Sequence, residues 1–243
     1  YHPFLIKEEN LRDAVKGFKA FGMNGFNVTV PHKVAIIPLL DGIDPLAKAI
    51  GAVNTVVNEN GKLIGYNTDG PGFIKSLEKE ISDLEQRKTL IIGAGGAARA
   101  IYFSMAERGV GEIDIFNRTA EKAEQLKKEC PFDVKTKILE KEEAEKLLAE
   151  YDLIIQTTSI GMSPRIDESP ISIHNLRKDA FVCDIIYNPL KTKILQEAEE
   201  KGAGIKNGVD MFVYQGALAF EKWTGIFPET DKMKEIINKQ LGG

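Results

Sequence analysis

The stretch LIIGAGGAARA, residues 90–100, limits the possible folds of this chain more than any other segment. Gly93, Gly95 and Ala98 fall on the G-x-G-x-x-G/A pattern, directly after a strand and at the opening of a helix. Each small residue has a physical task. Gly93 makes the tight turn, Gly95 lets the backbone approach a pyrophosphate, and Ala98 lets helix and strand pack closely. The helix N-terminus then offers free N–H groups and a partial positive charge to phosphate oxygens. Alone, such a pattern also describes a flexible loop. Placed between strand and helix, with a second strand following, it marks a dinucleotide-binding turn.

The rest of the segment agrees. KTLIIG, EIDIFN, DLIIQTT and AFVCDII are short apolar runs of the kind buried parallel strands show, with helical patterns between them. That alternation predicts an α/β fold built on a doubly wound parallel sheet, with the acidic run KEEAEKLLAEY on an outer face. Before Arg87 the texture differs. The pattern predicts a helix over 10–21 capped by Asn10, a strand over 25–30, and a helical stretch from Lys33 to Leu40. Asp44-Pro45 opens a further short helix. Two strand-like runs flank Asn60-Gly61, a hairpin signal, and a helix follows Gly72. A long apolar helix is expected over 209–223 and an amphipathic one from Asp231. The division predicted is a smaller α/β domain at 1–83 plus 209–243 and a Rossmann-type domain at 84–208.

The second strand of the parallel set bears on the cofactor. It ends FNRTAEK, so Asn117, Arg118 and Thr119 stand where an NAD site usually carries an acid for the ribose 2′-OH. A guanidinium there welcomes a phosphate that a carboxylate would repel, which favours NADP over NAD. Thr119 also suits a helix cap for Ala120 onward.

Charge excludes other partners. The formal net charge is -4 and the pI about 5.6, which argues against nucleic acid and acidic membrane surfaces. Lys127-Lys128 is a short basic run beside acids, a solvated helix face. No apolar run reaches membrane-spanning length and no signal-peptide pattern is visible. Cys130 and Cys183 lack metal or disulfide spacing, which fits a reducing cytoplasm. His2, His32 and His174 form no ligand cluster, so no metal is expected. The chain opens Tyr1-His2-Pro3-Phe4 rather than with Met, and the natural protein is expected to begin earlier.

A dinucleotide site implies hydride transfer without naming the proton donor. Tyr187 and Lys191 have the Tyr-x-x-x-Lys spacing of short-chain dehydrogenases, but Pro189 between them argues against one shared helix face. With zinc unsupported, a lysine or carboxylate of the first domain remains. Lys33, after Pro31 in NVTVPHK, and Asp69, after LIGYNT, both follow strand signals, where strand ends commonly face a cleft. Spacing alone favours the plainer readings, a solvated lysine and a turn or cap aspartate.

Seven motifs taken together point further. NVTVPHK, GAVNT, GYNTDGPGF, GAGGAARA, NRT, TTSIGM and GVDMFVYQGALAFEKWTG occur in an order and at spacings that resemble the shikimate dehydrogenases, along essentially the whole chain. The resemblance implies NADPH-dependent reduction of 3-dehydroshikimate to shikimate, on the route to aromatic amino acids. It also implies a substrate domain and a Rossmann domain around a cleft, the C-terminal helices returning to the former. By motif, Lys33 resembles the catalytic lysine and Asp69 its partner. Thr29, Asn54, Asp69 and Gln215 match positions that hold substrate hydroxyl and carboxylate groups, and Tyr187 is similar to a tyrosine lining that pocket. Gly93, Ala94, Gly95, Gly96 and Ala97 correspond to one cofactor segment. Asn117, Arg118, Thr119, Ala120, Glu121 and Lys122 correspond to another, with Ile185 and Gly208 near the nicotinamide end. A flat polyhydroxylated acid needs uncharged hydrogen-bonding groups, and Thr, Asn and Gln supply them without a buried charge. Lys33 is then expected to supply the proton to the carbonyl oxygen, with Asp69 orienting the amine. The partner implied is a small-molecule substrate, and the assembly a monomer or homodimer.

Two departures accompany the resemblance. Gln156 stands where the family usually has Asn, a change expected to be mild. Family members also carry a Ser-x-Ser segment for the substrate carboxylate upstream of where this chain starts, and none occurs near Tyr1. If that segment is absent from the protein, weak substrate binding is expected. Two alternatives stay open: a quinate/shikimate dehydrogenase of broader specificity, and an NADP-binding module without catalysis.

Overall fold

The computed structural model describes residues 1–242. The first part of the chain forms α1 (Leu11–Ala20), β1 (Gly25–Asn27), α2 (His32–Ala35), β2 (Gly42–Ile43), α3 (Pro45–Ile50), β3 (Thr55–Glu59), β4 (Lys62–Tyr66) and α4 (Asp69–Leu77). Next come β5 (Thr89–Ile92), α5 (Gly96–Arg108), β6 (Ile113–Phe116), α6 (Ala120–Glu129), β7 (Ile138–Leu139), α7 (Lys141–Lys146), β8 (Leu153–Gln156) and β9 (Phe181–Asp184). The chain closes with α8 (Lys193–Glu200), β10 (Gly204–Lys206), α9 (Val209–Thr224) and α10 (Thr230–Gln240).

The strands make two sheets. One has six parallel strands in the order β7-β6-β5-β8-β9-β10. Every residue of β5, β6 and β8 is buried, as expected of runs covered by helices on both faces. The strand order reverses direction between β5 and β8, and the crevice beyond their carboxyl ends is where such sheets bind ligands. The smaller sheet has the order β1-β3-β4-β2, antiparallel except where β2 runs alongside β4. Asn60 and Gly61 close its hairpin, both at positive φ, as a two-residue turn requires.

One core joins helices α3 and α4 to the parallel sheet. Leu46 and Ile50 of α3 and Phe73, Ile74 and Leu77 of α4 pack with Ile101, Phe103 and Met105 of α5 and with Ile91 and Ile113 of the parallel sheet. The opposite face of that sheet has its own core around Leu90, Ile154 and Val182, and the smaller sheet one around Val15, Val53 and Leu63. Helix α9 returns to the smaller sheet, where the Trp223 indole N–H donates to Val56 O at 2.9 Å.

Several local expectations need correction. The strand predicted over 25–30 ends at Asn27, because its partner β3 starts at Thr55 and the ladder runs out there. The stretch from Lys33 to Leu40 divides into α2 and a 3-10 turn at Ile37–Leu39, since Pro38 has no N–H to continue an α-helix. The helix placed after Gly72 begins at Asp69. Neither Asn10 nor Thr119 makes a side-chain cap. A 3-10 turn at Glu8–Asn10 leads into α1, and the Asn117 side chain braces Thr119 O instead, at 2.7 Å. No helix among the described residues is long and apolar enough to cross a membrane.

Candidate active site

Lys33 lies in the short helix α2, directly after the Thr29–Pro31 turn, where the His32 N–H donates to Thr29 O. Asp69 is the first residue of α4, where a carboxylate meets the positive end of the helix. The two meet: Lys33 Nζ stands 2.7 Å from Asp69 Oδ2. Asn54 Nδ2 donates to Asp69 Oδ1 at 2.8 Å and to Thr68 Oγ1 at 3.0 Å, which engages both of its hydrogens. Its oxygen accepts from Thr68 N and Thr55 Oγ1. Asn67 Oδ1 in turn accepts the Asp69 N–H at 3.0 Å. The ion pair thus rests on a buried polar lattice, yet Lys33 keeps 29% of its side chain exposed and Asp69 18%.

Helix α4 can sit here only because of its glycines. A Cβ on Gly70 would lie 2.2 Å from Ala100 O of α5, and one on Gly72 would lie 2.6 Å from Gln215 N of α9. Two helices therefore approach α4 at backbone distance in the turn that follows Asp69, one bringing Gln215 close.

Lys33, Asp69 and Asn54 open into a cleft of about 380 Å³. Thr29 and Gln215 line it as well, and Ile185, Tyr187 and Gly208 enter from the parallel-sheet side. The structure therefore brings together the lysine–carboxylate pair, four further residues expected at the substrate, and the two expected near the nicotinamide. Met211, Phe212 and Asn27 also line the cleft and were not anticipated. Asn27 carried a readable signal, since it shares the alternation of Thr29 along NVT. Phe212 did not, because an apolar residue in an apolar helix reads as core; here its ring packs at a tilt against Tyr187, with centroids 5.4 Å apart. Tyr187 and Lys191 share no helix, and Lys191 pairs with Glu199.

The glycine turn lies at the carboxyl end of β5. Gly93 takes φ +117°, and a Cβ there would sit 2.4 Å from Thr157 Oγ1. At Gly95 and Gly96, both exposed, a Cβ would meet nothing within 4 Å, so the opening of α5, whose first N–H groups have no intrahelical partner, is accessible. Ala94 and Ala97 flank this opening, and Ala98 is wholly buried against the sheet. Asn117, Arg118, Thr119, Ala120, Glu121 and Lys122 follow β6, the strand next to β5, with Arg118, Thr119, Glu121 and Lys122 exposed. An open cradle of N–H groups beside an exposed guanidinium suits a dinucleotide with a 2′-phosphate. Among the described residues no cluster of His, Cys, Asp and Glu has the makings of a metal site.

Two buried side chains hold the loops that frame the crevice. Gln156 Nε2 donates to Thr158 O and Ile160 O while its oxygen accepts the Thr158 N–H, bracing the TTSIG turn. Asp184, at the end of β9, accepts from Ile186 N and from Thr192 Oγ1, closing the loop that bears Ile185 and Tyr187. Burial pushes the Asp184 carboxyl up to about 6, and those two hydrogen bonds offset it only in part. In the unfolded chain this group titrates near 3.8, so between about pH 4 and pH 6 the folded state holds the extra proton. Stability therefore falls as pH rises through that window, by up to about 3 kcal/mol, and levels off above it. Thermal unfolding across this range should show the slope in the wild type and a flatter one in Asp184→Asn. Equal slopes would refute the assignment.

Three family models match the chain. They are described as "Shikimate dehydrogenase substrate binding domain" over residues 1–56, "Shikimate / quinate 5-dehydrogenase" over 75–190, and "Shikimate 5'-dehydrogenase C-terminal domain" over 208–237. Among curated relatives, the Shikimate dehydrogenase (NADP(+)) of Bacillus cereus (strain AH820) is 58% identical over 244 residues, covering 100% of this chain and 88% of the relative. Among solved structures, shikimate 5-dehydrogenase from Listeria monocytogenes, in complex with shikimate and NAD, is 40% identical with a TM-score of 0.91, covering 96% of this chain and 84% of that one. The enzyme from Thermus thermophilus, in complex with NADP(H) and shikimate, is 33% identical with a TM-score of 0.84, covering 96% and 85%.

Proposed function

The chain belongs to the shikimate dehydrogenase family of NADP-linked oxidoreductases acting on a CH–OH group, and from that premise we propose how its own residues do the work. It interconverts 3-dehydroshikimate and shikimate with NADP(H). Residues 1–83 plus 209–243 form the substrate lobe and 84–208 the cofactor lobe. This division is supported by the six strands of the all-parallel sheet, which lie between Thr89 and Lys206.

The observation that carries the reading is one cleft shared by the Lys33–Asp69 pair and by Ile185 and Gly208 of the other lobe. Lys33 is the catalytic acid and base. One of its three N–H donors is spent on Asp69, which leaves the others to meet the substrate oxygen. Asp69 fixes the direction of the amine. Asn54 acts through Asp69, because both of its own donors are engaged there and at Thr68. Thr29, Gln215 and Tyr187 bind the hydroxyl and carboxylate groups of the substrate. The cofactor, when bound, supplies the hydride. Its pyrophosphate rests on Gly93, Ala94, Gly95, Gly96 and Ala97, and its 2′-phosphate on Asn117–Lys122, with Arg118 the principal charge. The enzyme works in the cytoplasm as a monomer or homodimer, and its unpaired Cys130 and Cys183 agree with a reducing compartment.

The test is turnover followed by reduced-nicotinamide absorbance. Shikimate with NADP+ should be the fastest of the four pairings with quinate and NAD+; no shikimate-dependent signal would overturn the reading. Arg118→Ala should lower the preference for NADP+ over NAD+ by about 10- to 100-fold, the value of a charge-assisted hydrogen bond. An unchanged preference would remove Arg118 from the phosphate site.

A further inference from the structure

Arg99 lies in the first turn of α5, its N–H bonded to Gly95 O of the glycine turn at 2.9 Å. Its side chain crosses to the other lobe. Nε donates to Ile50 O and Nη2 to Ala49 O, the latter at 2.8 Å, while Nη1 pairs with Glu129 at the end of α6. The guanidinium lies over the Phe103 ring, 4.5 Å from its centroid, and only 25% of the side chain is exposed. Ala49 and Ile50 end α3. Their carbonyls lack helical partners and carry the partial negative charge of a helix C-terminus.

Beyond Ile50 the chain runs straight into the supports of the ion pair. It reverses at Gly51 with φ +74°. Ala52 O accepts from Asn67, the residue whose oxygen holds the Asp69 N–H. The Val53 N–H donates to Lys33 O at 2.8 Å, and Asn54 holds the Asp69 carboxylate. Within four residues of the guanidinium's anchor, one segment fixes Lys33 by its backbone and Asp69 by the Asn54 side chain and, through Asn67, by the Ala52 carbonyl.

We propose that Arg99 is a positioning residue: through the end of α3 it sets the segment 51–54, and with it the Lys33–Asp69 pair, from the helix that begins at the phosphate-binding turn. The inference rests on Lys33 and Asp69 being the catalytic pair. A planar fork can hold two adjacent carbonyls and a carboxylate together; a lysine ammonium at this site can serve only part of that set.

The experiment compares Arg99→Met, Arg99→Lys and Glu129→Gln in the full-length protein at a temperature where each is folded. Arg99→Met should lower kcat by about tenfold or more, the scale of a sub-ångström misplacement of catalytic groups, with KM for NADP+ changed less than about threefold. Arg99→Lys should fall between it and the wild type, and Glu129→Gln should stay near the wild type. If the methionine variant does not fold, Arg99→Lys carries the test, with a reduced kcat expected. Wild-type kcat in whichever Arg99 variant is read, even with a lowered Tm, would make the residue mere inter-lobe glue and overturn the proposal. A loss in Glu129→Gln equal to that in Arg99→Met would also overturn it, by placing the effect in the ion pair rather than in α3. The two readings fail separately. Lys33→Ala with near-normal turnover sinks the catalytic assignment whatever Arg99 does, whereas an inactive Lys33→Ala beside an unaffected Arg99→Met sinks only this proposal.

Discussion

Lys33→Ala is expected to lower kcat for shikimate oxidation by about 10²- to 10⁴-fold, with NADP+ affinity within about twofold of the wild type. The size follows from the role. Losing a positioned proton donor and acceptor removes roughly 3–5 kcal/mol of transition-state stabilisation, at about 1.4 kcal/mol per decade. The selectivity follows from the architecture. Lys33 belongs to the smaller sheet's side of the cleft, whereas the glycine turn and Arg118 lie at the ends of β5 and β6. The substitution should also leave the fold in place, since the Asp69 carboxylate keeps its bond from Asn54 and its position at the start of α4. Steady-state kinetics with a parallel cofactor titration decide the matter. Near-normal turnover beside intact NADP+ binding would refute the assignment.

Gly70→Ala should be damaging twice over. The added methyl would lie 2.1 Å from Ser104 Oγ and 2.2 Å from Ala100 O. The serine hydroxyl can rotate away, but the carbonyl belongs to the backbone of a buried helix and cannot. Helix α4 must therefore move away from α5 by roughly an ångström. Overpacking of this kind costs about 1–3 kcal/mol, or about 2–4 °C of Tm per kcal/mol in a chain of this length. Asp69 is the adjacent residue and moves with the helix, and a catalytic group displaced by about 1 Å can cost about 10²-fold in rate. Calorimetry and kinetics on the same preparation should show both losses. A variant with wild-type Tm and kcat would mean that α4 and α5 are not packed at backbone distance.

Much of this was legible beforehand where one residue type answers one local need. Apolar runs four or more residues long became buried parallel strands, Asn60-Gly61 became a hairpin turn, and Asp44 before Pro45 caps α3 by accepting from Leu46 N and Ala47 N. Where a boundary depended on a partner, local pattern misled. Asn27 ends β1 because β3 begins where it does, and Asp69 starts α4 because Asn67 receives its N–H. The two-residue β2 and β7 gave no periodic signal, and they exist only as additions to strands already in place.

The amino-acid sequence by itself determined the dinucleotide turn, the parallel sheet and the family, because these rest on spacing within short segments. Periodicity and turn chemistry are local, and a reader of residues sees them directly. Only the tertiary structure decided that Lys33 meets Asp69 across 36 positions of chain, that Asn54 spends its donors on that carboxylate, and that Arg99 reaches α3. Those contacts depend on how closely α3, α4, α5 and α9 approach one another. That distance is set by which side chains are missing at the crossings, at Gly70 and Gly72 above all, and a missing side chain leaves no pattern of its own to read.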